Sequence, residues 1–251
     1  MKIQYCSDLH IEFPENKEYL INNPIKPIGD ILVLAGDIAL FRTLNEQDDF
    51  FDYVSANFKY TFWIAGNHEY YHSDIRKFKN KDIRENVFLI NNKSVVFEKE
   101  NLKLIFTTLW SNVEDENIWS VGRGMNDFRV IENGNKGLTV DDYNNLHKVS
   151  LDFIKKELDN NNQEKIIVVT HHVPTLTNYP KEYINSPINN GFATELKDFI
   201  ESSDIDYWIF GHHHKNMPEF TIGKTKMLTN QLGYVYHNEH DSFKSDAFFE
   251  I

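Results

Sequence analysis

"DILVLAGD", residues 30–37, sets four branched aliphatic residues and an alanine between two aspartates, with a glycine directly before the second. An unbroken apolar run of this length is buried on both faces, as the strands of a parallel sheet are. Two neighbours repeat the design. "KIQYC" at 2–6 is a short apolar-alternating run followed at once by the polar "SDLH", and "YTFWIAGNHE" at 60–69 is another continuous run with a polar end. Between the second and third runs, "LNEQDDFFDYVSANF" spaces Phe51, Val54 and Phe58 at helical intervals. Strand, helix, strand in this order is a right-handed parallel crossover, which brings the polar ends of successive strands to one edge of the sheet. Open α/β sheets place their sites at that edge.

Further along, "VFLI", "SVVFEK" and "LKLIFTTLW" are separated by "NNK" and "KEN" and predict a run of antiparallel strands joined by tight turns. Residues 111–137 are polar and irregular, too long for an ordinary connection, and are expected to form a lid or substrate loop. "TVDDYNNLHKVSLDFIKKEL" predicts an amphipathic helix with Thr139 or Asp141 at its N-cap. "EKIIVVTHHVP" is a buried strand ending in histidine, and "ATELKDFIES" a helix. "IDYWIFGHHH", a hairpin of "EFTIG" with "TKMLTN", and "SDAFFEI" complete the strands. No repeat, low-complexity tract or linker divides the chain, so one α/β domain over residues 1–251 is expected.

The chain has 251 residues, 41% of them hydrophobic, and a formal net charge of -12. That charge argues against a broad basic surface, so no stable complex with long nucleic acid is expected, although a local site can still bind a small anion. Cys6 is the single cysteine, which excludes an internal disulfide and fits a reducing, cytoplasmic location. No window of about 18 residues is continuously apolar, and no long hydrophobic stretch follows Met1, so neither a membrane span nor a secretory signal is expected.

Five strand ends carry potential metal ligands: Asp8 and His10, Asp37, Asn67 and His68, His171 and His172, and His212 and His214. In the extended tract "GHHH", alternation puts His212 and His214 on one side and His213 on the other. Two imidazoles alone rarely hold a catalytic metal, so further ligands must come from elsewhere. Taken singly, each residue has a structural reading: an aspartate caps a helix or a turn, Asn67 after Gly66 occupies a left-handed turn, a lone histidine is a satisfied polar group. Unrelated caps would not gather after apolar runs at one sheet edge, and together the residues read as a metal site.

In the order Asp-x-His, Gly-Asp, Gly-Asn-His-Glu, His-His and Gly-His-x-His, spanning Asp8 to His214, the chain resembles the metallophosphoesterases, or calcineurin-like phosphoesterases. The resemblance implies an α/β fold, a four-layer αββα sandwich of two mixed β-sheets flanked by helices. It also implies a metal-dependent phosphatase or phosphodiesterase in which a metal-bridging hydroxide attacks the ester. By the family pattern Asp8, His10 and His214 hold one ion, Asn67, His171 and His212 the other, and Asp37 bridges them, leaving His213 as the spare. His68 is implied to contact the phosphate and protonate the leaving oxygen. A neighbouring acid can keep it charged, with Glu69 or an aspartate elsewhere as candidates, and Glu69 can equally cap the following turn.

Two ions about 3.5–4 Å apart can share a carboxylate and a hydroxide and neutralise both attacking and leaving oxygens. Two divalent ions less Asp8, Asp37 and one hydroxide leave a positive site that attracts phosphate, which a carboxylate in place of neutral Asn67 would cancel. Mixed nitrogen and oxygen ligands suit manganese, iron or zinc better than calcium. Asn67, His68, His172, Asn126 and Arg129 are the expected substrate contacts, with packing beside Pro174 as the alternative for His172. The loop "GRGMNDFRVI" also offers Arg123 and Asp127 near Trp110 and Trp119, groups that can grip phosphate or stack on a base. The competing reading makes Asp127 and Arg129 a surface pair and the tryptophans part of the core. The expected substrate is a small phosphomonoester or phosphodiester, a nucleotide among the candidates. The rival functions are a non-catalytic metal-binding scaffold and an amidohydrolase on a (β/α)₈ barrel. The barrel normally opens with a His-x-His pair, whereas this chain closes with one and lacks eight-fold alternation.

Overall fold

Every apolar run becomes a strand of one of two six-stranded sheets in the computed structural model, which describes residues 1–251. The strands are β1 (Lys2–Cys6), β2 (Ile31–Leu34), β3 (Tyr60–Trp63), β4 (Lys81–Arg84), β5 (Val87–Leu89), β6 (Lys93–Phe97), β7 (Leu102–Phe106), β8 (Glu132–Asn133), β9 (Lys136–Gly137), β10 (Lys165–Val169), β11 (Tyr207–Ile209), β12 (Phe220–Ile222), β13 (Thr225–Leu228) and β14 (Phe248–Glu250). The helices are α1 (Pro14–Asn22), α2 (Asp48–Asn57), α3 (Ile118–Gly124), α4 (Asp127–Val130), α5 (Val140–Asp159) and α6 (Lys197–Ser202).

The first sheet runs β14-β1-β2-β3-β5-β4 and the second β12-β13-β11-β10-β7-β6. In each, four central strands are parallel and the two edge strands antiparallel. Strand alternation then builds four layers. On β2, Ile31 and Val33 face the second sheet and pack with Phe106, Ile167, Val169 and Ile209. Leu32 and Leu34 face outward, onto Phe51 and Val54 of α2 and Leu20 of α1. The second sheet does the same with Val168 and Trp208 against Ile154 of α5 and Ile200 of α6. Each such side chain removed from water contributes roughly 1.5–3 kcal/mol, which is why one chain with two sheets holds a common register. No helix is long and apolar enough to cross a membrane.

The middle of the chain differs from the expectation. β5 does not pair with β6; it lies parallel to β3 in the first sheet, and the chain passes to the second sheet through Asn91 and Asn92. Asn92 takes a left-handed φ of 48°, tolerable for asparagine, and the Asn91 carboxamide accepts from the Thr108 backbone, so the turn is a crossing between sheets. Only β6 and β7 form the expected hairpin. β4, α1 and the β8–β9 hairpin carried no periodic signal.

Residues 111–137 are not a free loop. They hold α3, α4 and β8–β9, and Val113, Val121, Met125 and Ile131 anchor them in a cluster with Trp110 and Tyr143. The anchors lie too far apart to register as a period in a polar stretch. α5 begins as read, with Thr139 and Asp142 forming a reciprocal capping box.

Candidate metal centre

All five polar strand ends meet where the parallel strands of both sheets finish. Asp8, Asp37 and Asn67 follow β1, β2 and β3 of the first sheet; His171 and His212 follow β10 and β11 of the second. Asp8, His10, Asp37 and His214 bring ligand atoms within 4.8 Å of one another, and so do Asp37, His171 and His212. Asp37 belongs to both groups. His10 Nε2 lies 3.0 Å from His214 Nε2, His171 Nε2 3.1 Å from His212 Nδ1, and the Asn67 Oδ1 3.2 Å from His171 Nε2. Asp37 Oδ2 is 3.3 Å from His171 Nε2 and 3.7 Å from His10 Nε2.

Such convergence requires unusual backbone. Asp8, His10, Asp37, His212 and His214 all have left-handed φ, between 46° and 79°. Non-glycine residues rarely adopt this region, and their gathering marks a site whose geometry the surrounding packing enforces. Glycine is required at the closest approach: a Cβ on Gly66 would stand 2.2 Å from Asp37 Oδ1.

The outward nitrogens of His10, His214 and His171 are fixed by acceptors, whereas His212 Nε2 is buried without a partner. Glu12 Oε1 is 3.1 Å from His10 Nδ1, Glu239 Oε2 is 2.7 Å from His214 Nδ1, and the Ala35 carbonyl is 3.0 Å from His171 Nδ1. An acceptor at Nδ1 holds a proton there and turns the Nε2 lone pair inward, the arrangement that metal-ligating imidazoles need. Burial alone would lower the basicity of His171 and His214. The Asp37 carboxylate outweighs it and pushes His171 up to about 9, while Asp8 and Glu239 push His214 up to about 10. Anionic carboxylates crowded against nitrogen donors are thus waiting for positive charge, and a divalent cation competes for it with protons. The donor set fits metal ions.

His68 sits beside this cluster. Its Nδ1 is 3.2 Å from Glu12 Oε1 and its Nε2 3.2 Å from the Tyr234 hydroxyl. Burial disfavours the charged imidazole, but Asp37 and Glu12 outweigh it and raise His68 above its ordinary range. The acids that act on it are therefore Asp37 and, in direct contact, Glu12, not Glu69. Glu69 is fully buried and turned away, accepting from the backbone of Asp37 at 2.9 Å, Ile38 at 2.7 Å and Gly66 at 2.6 Å and from Trp63 Nε1 at 3.1 Å. It clamps the ends of β2 and β3 together. Glu12 was legible in principle, since Asp8, His10 and Glu12 alternate in "SDLHIE"; Tyr71, Tyr234 and Glu239 carried no such signal.

A cavity of about 790 Å³ opens over the cluster, lined among others by Asn67, His68, Asn126, Asp127, Phe192 and Tyr234. Asp127 is buried, not paired with Arg129: it accepts from Asn67 Nδ2 at 3.0 Å and the Tyr71 hydroxyl at 2.8 Å, which fixes the Asn67 amide with its oxygen toward His171. Arg129 is exposed, donates to the Arg123 carbonyl and does not reach the cavity. His172 is fully buried behind the site, 2.8 Å from the Tyr143 hydroxyl, and does not line the cavity either. Both were expected at the substrate, and neither is brought there. His213 is turned to Gln231, and burial pushes it down to about 4. Trp110 is core; Trp119 is exposed under the Arg123 guanidinium.

A family profile described as calcineurin-like phosphoesterase matches residues 1–216. The chain is 30% identical, over an alignment of 280 residues that covers 99% of it and 96% of the other protein, to uncharacterized protein L509 of Acanthamoeba polyphaga mimivirus. Its fold is similar to that of the phosphopantetheinyl hydrolase PptH from Mycobacterium tuberculosis, with a TM-score of 0.73 and 14% identity, covering 97% of this chain and 93% of that one. A dimetal phosphatase from Danio rerio gives a TM-score of 0.50 at 14% identity, covering 92% of this chain and 87% of that one. Identity this low carries the fold alone.

Proposed function

The chain belongs to the calcineurin-like phosphoesterase family and is a metal-dependent phosphoester hydrolase, and from that premise we propose that it uses two metal ions to hydrolyse a small phosphomonoester or phosphodiester. The observation that carries the reading is that two of the three clusters of potential ligand atoms, Asp8, His10, Asp37 and His214 and Asp37, His171 and His212, meet at Asp37, while the third, His10, Glu12 and His68, lies on the outer side of His10. Asp8, His10 and His214 would hold one ion and Asn67, His171 and His212 the other, and manganese, iron or zinc suits such a mixed set. When bound, two divalent ions supply positive charge to the phosphoryl oxygens and activate the attacking water.

The chain's own residues do the rest. Asp127 keeps the Asn67 amide oxygen pointing at the second group of ligands, and neutral Asn67 adds no negative charge to that of Asp8 and Asp37. Glu12 holds the His68 Nδ1 proton and leaves Nε2 toward the cavity, where it delivers a proton to the leaving oxygen. A scaffold that merely binds metal has no use for that pairing. The cavity volume suits a small organic phosphate, and Asn126 at its wall is available to the substrate.

Metal-stripped protein resupplied with manganese, iron or zinc is expected to hydrolyse p-nitrophenyl phosphate or bis-p-nitrophenyl phosphate and to bind two ions per chain, read by elemental analysis. Full turnover with a single ion bound would overturn the two-ion reading. The Glu239 carboxylate lies outside residues 1–216 yet orients His214. Glu239→Gln is expected to weaken one of the two sites by roughly 10–100-fold and leave the other unchanged, which a metal titration resolves as one displaced step out of two.

A further inference from the structure

The main cavity holds one lysine or arginine, Arg42, against three carboxylates that are not assigned to metal, Glu12, Asp127 and Glu239. Apart from the ions, it offers an anion a foothold in one direction only. In that direction lies a second groove of about 310 Å³, and Arg42 and His72 line both. The groove also presents Lys77, Lys79 and Lys81 over a floor that includes Phe41 and Phe78.

This is an anomaly on a chain of net charge -12. Neighbouring cations of the same stretch are neutralised: Arg76 by Asp74 at 2.9 Å, and Arg84 by Asp48 and Asp52 at 2.6 Å each. Arg42, Lys77, Lys79 and Lys81 are exposed and have no carboxylate partner. Two acids line the groove with them; Asp74 is already paired with Arg76, and exposed Glu132 leaves the four cations in excess. Like charges held together without counter-charges repel one another, and an anion seated among them relieves that repulsion.

We propose that the substrate carries a second phosphate, apart from the ester that is cleaved, and that this group seats on Arg42, Lys77, Lys79 and Lys81. The proposal rests on the phosphoesterase reading of the main cavity and adds to it a specificity site. Arg42 stands at the junction of the two cavities, with His72 beside it.

The test measures kcat/KM on alkanediol bisphosphates from ethanediol to octanediol, each against the alkyl monophosphate of equal length, with p-nitrophenyl phosphate as control. Two equivalent ends give a bisphosphate a statistical factor of about two; the groove is expected to add roughly tenfold or more, one charge-assisted contact or better, at those lengths that span from the ions to the lysines. Lys77→Glu with Lys79→Glu, both exposed and remote from the ligands, should abolish the preference and leave p-nitrophenyl phosphate turnover unchanged. Equal kcat/KM for every pair beyond the statistical factor, in an enzyme active on p-nitrophenyl phosphate, would overturn the groove and leave the phosphoesterase reading intact. Absence of hydrolysis of both p-nitrophenyl phosphate and bis-p-nitrophenyl phosphate with every metal in the unmodified chain would strike the phosphoesterase reading, and this inference with it; hydrolysis of the diester alone would overturn the groove as a seat for a bisphosphate monoester and leave that reading intact.

Discussion

Asp37→Asn is expected to remove both metal ions at once and to lower turnover of p-nitrophenyl phosphate by roughly 10³-fold or more, since several kcal/mol of transition-state charge stabilisation go with the ions. Asp37 is the one side chain common to the two groups of ligand atoms. Its Oδ1 also accepts from the His68 backbone at 2.9 Å, so the same carboxylate fixes the start of the His68 turn. Asparagine keeps the shape and an acceptor oxygen but withdraws a charge that two cations would share. Elemental analysis beside turnover decides the matter, with circular dichroism to check the fold. A variant that retains two ions and full activity would refute the bridging assignment; one that loses a single ion would assign Asp37 to one site only.

His68→Ala should behave differently. The metals are expected to stay, because His68 belongs to neither of the two groups that meet at Asp37; it clusters only with His10 and Glu12, and Glu12 keeps its contact with His10 at 3.1 Å. Alkyl phosphates, whose leaving oxygen must be protonated, are expected to lose about 10²–10⁴-fold in kcat. p-Nitrophenyl phosphate, whose phenolate leaves readily, should lose far less. The ratio of the two losses isolates proton donation from binding. An equal loss on both esters would mean that His68 holds the phosphate and does not act as an acid. Phosphate burst or single-turnover measurements would show whether product release masks the difference.

The sequence alone determined an α/β chain with parallel crossovers and the cluster at the strand ends, because both are written in short-range pattern; the four layers were what the family resemblance implied. Continuous apolar runs such as Ile31 to Leu34 can only be doubly covered strands, and the residue that follows each run is fixed to the same sheet edge by parallel topology. Asp8, Asp37, Asn67, His171, His212 and His214 were therefore readable together with no knowledge of distances. What stayed hidden depends on residues that are remote along the chain or follow no period. Glu69 stands next to His68 in sequence, yet its carboxylate is drawn to four N–H donors on the other side, and Glu12, far away in the chain, becomes the partner. In sequence Asp127 reads either as part of the substrate loop or as a surface partner of Arg129, two positions on; the packing of Val121, Met125 and Ile131 turns it inward onto Asn67. The groove of unpaired cations likewise joins Arg42 to lysines 77, 79 and 81, which no local pattern relates. A strand's polar end is placed by the backbone periodicity of its own residues; a side chain's partner is chosen by whichever donors and acceptors the packed chain leaves within reach, and that choice is made only in three dimensions.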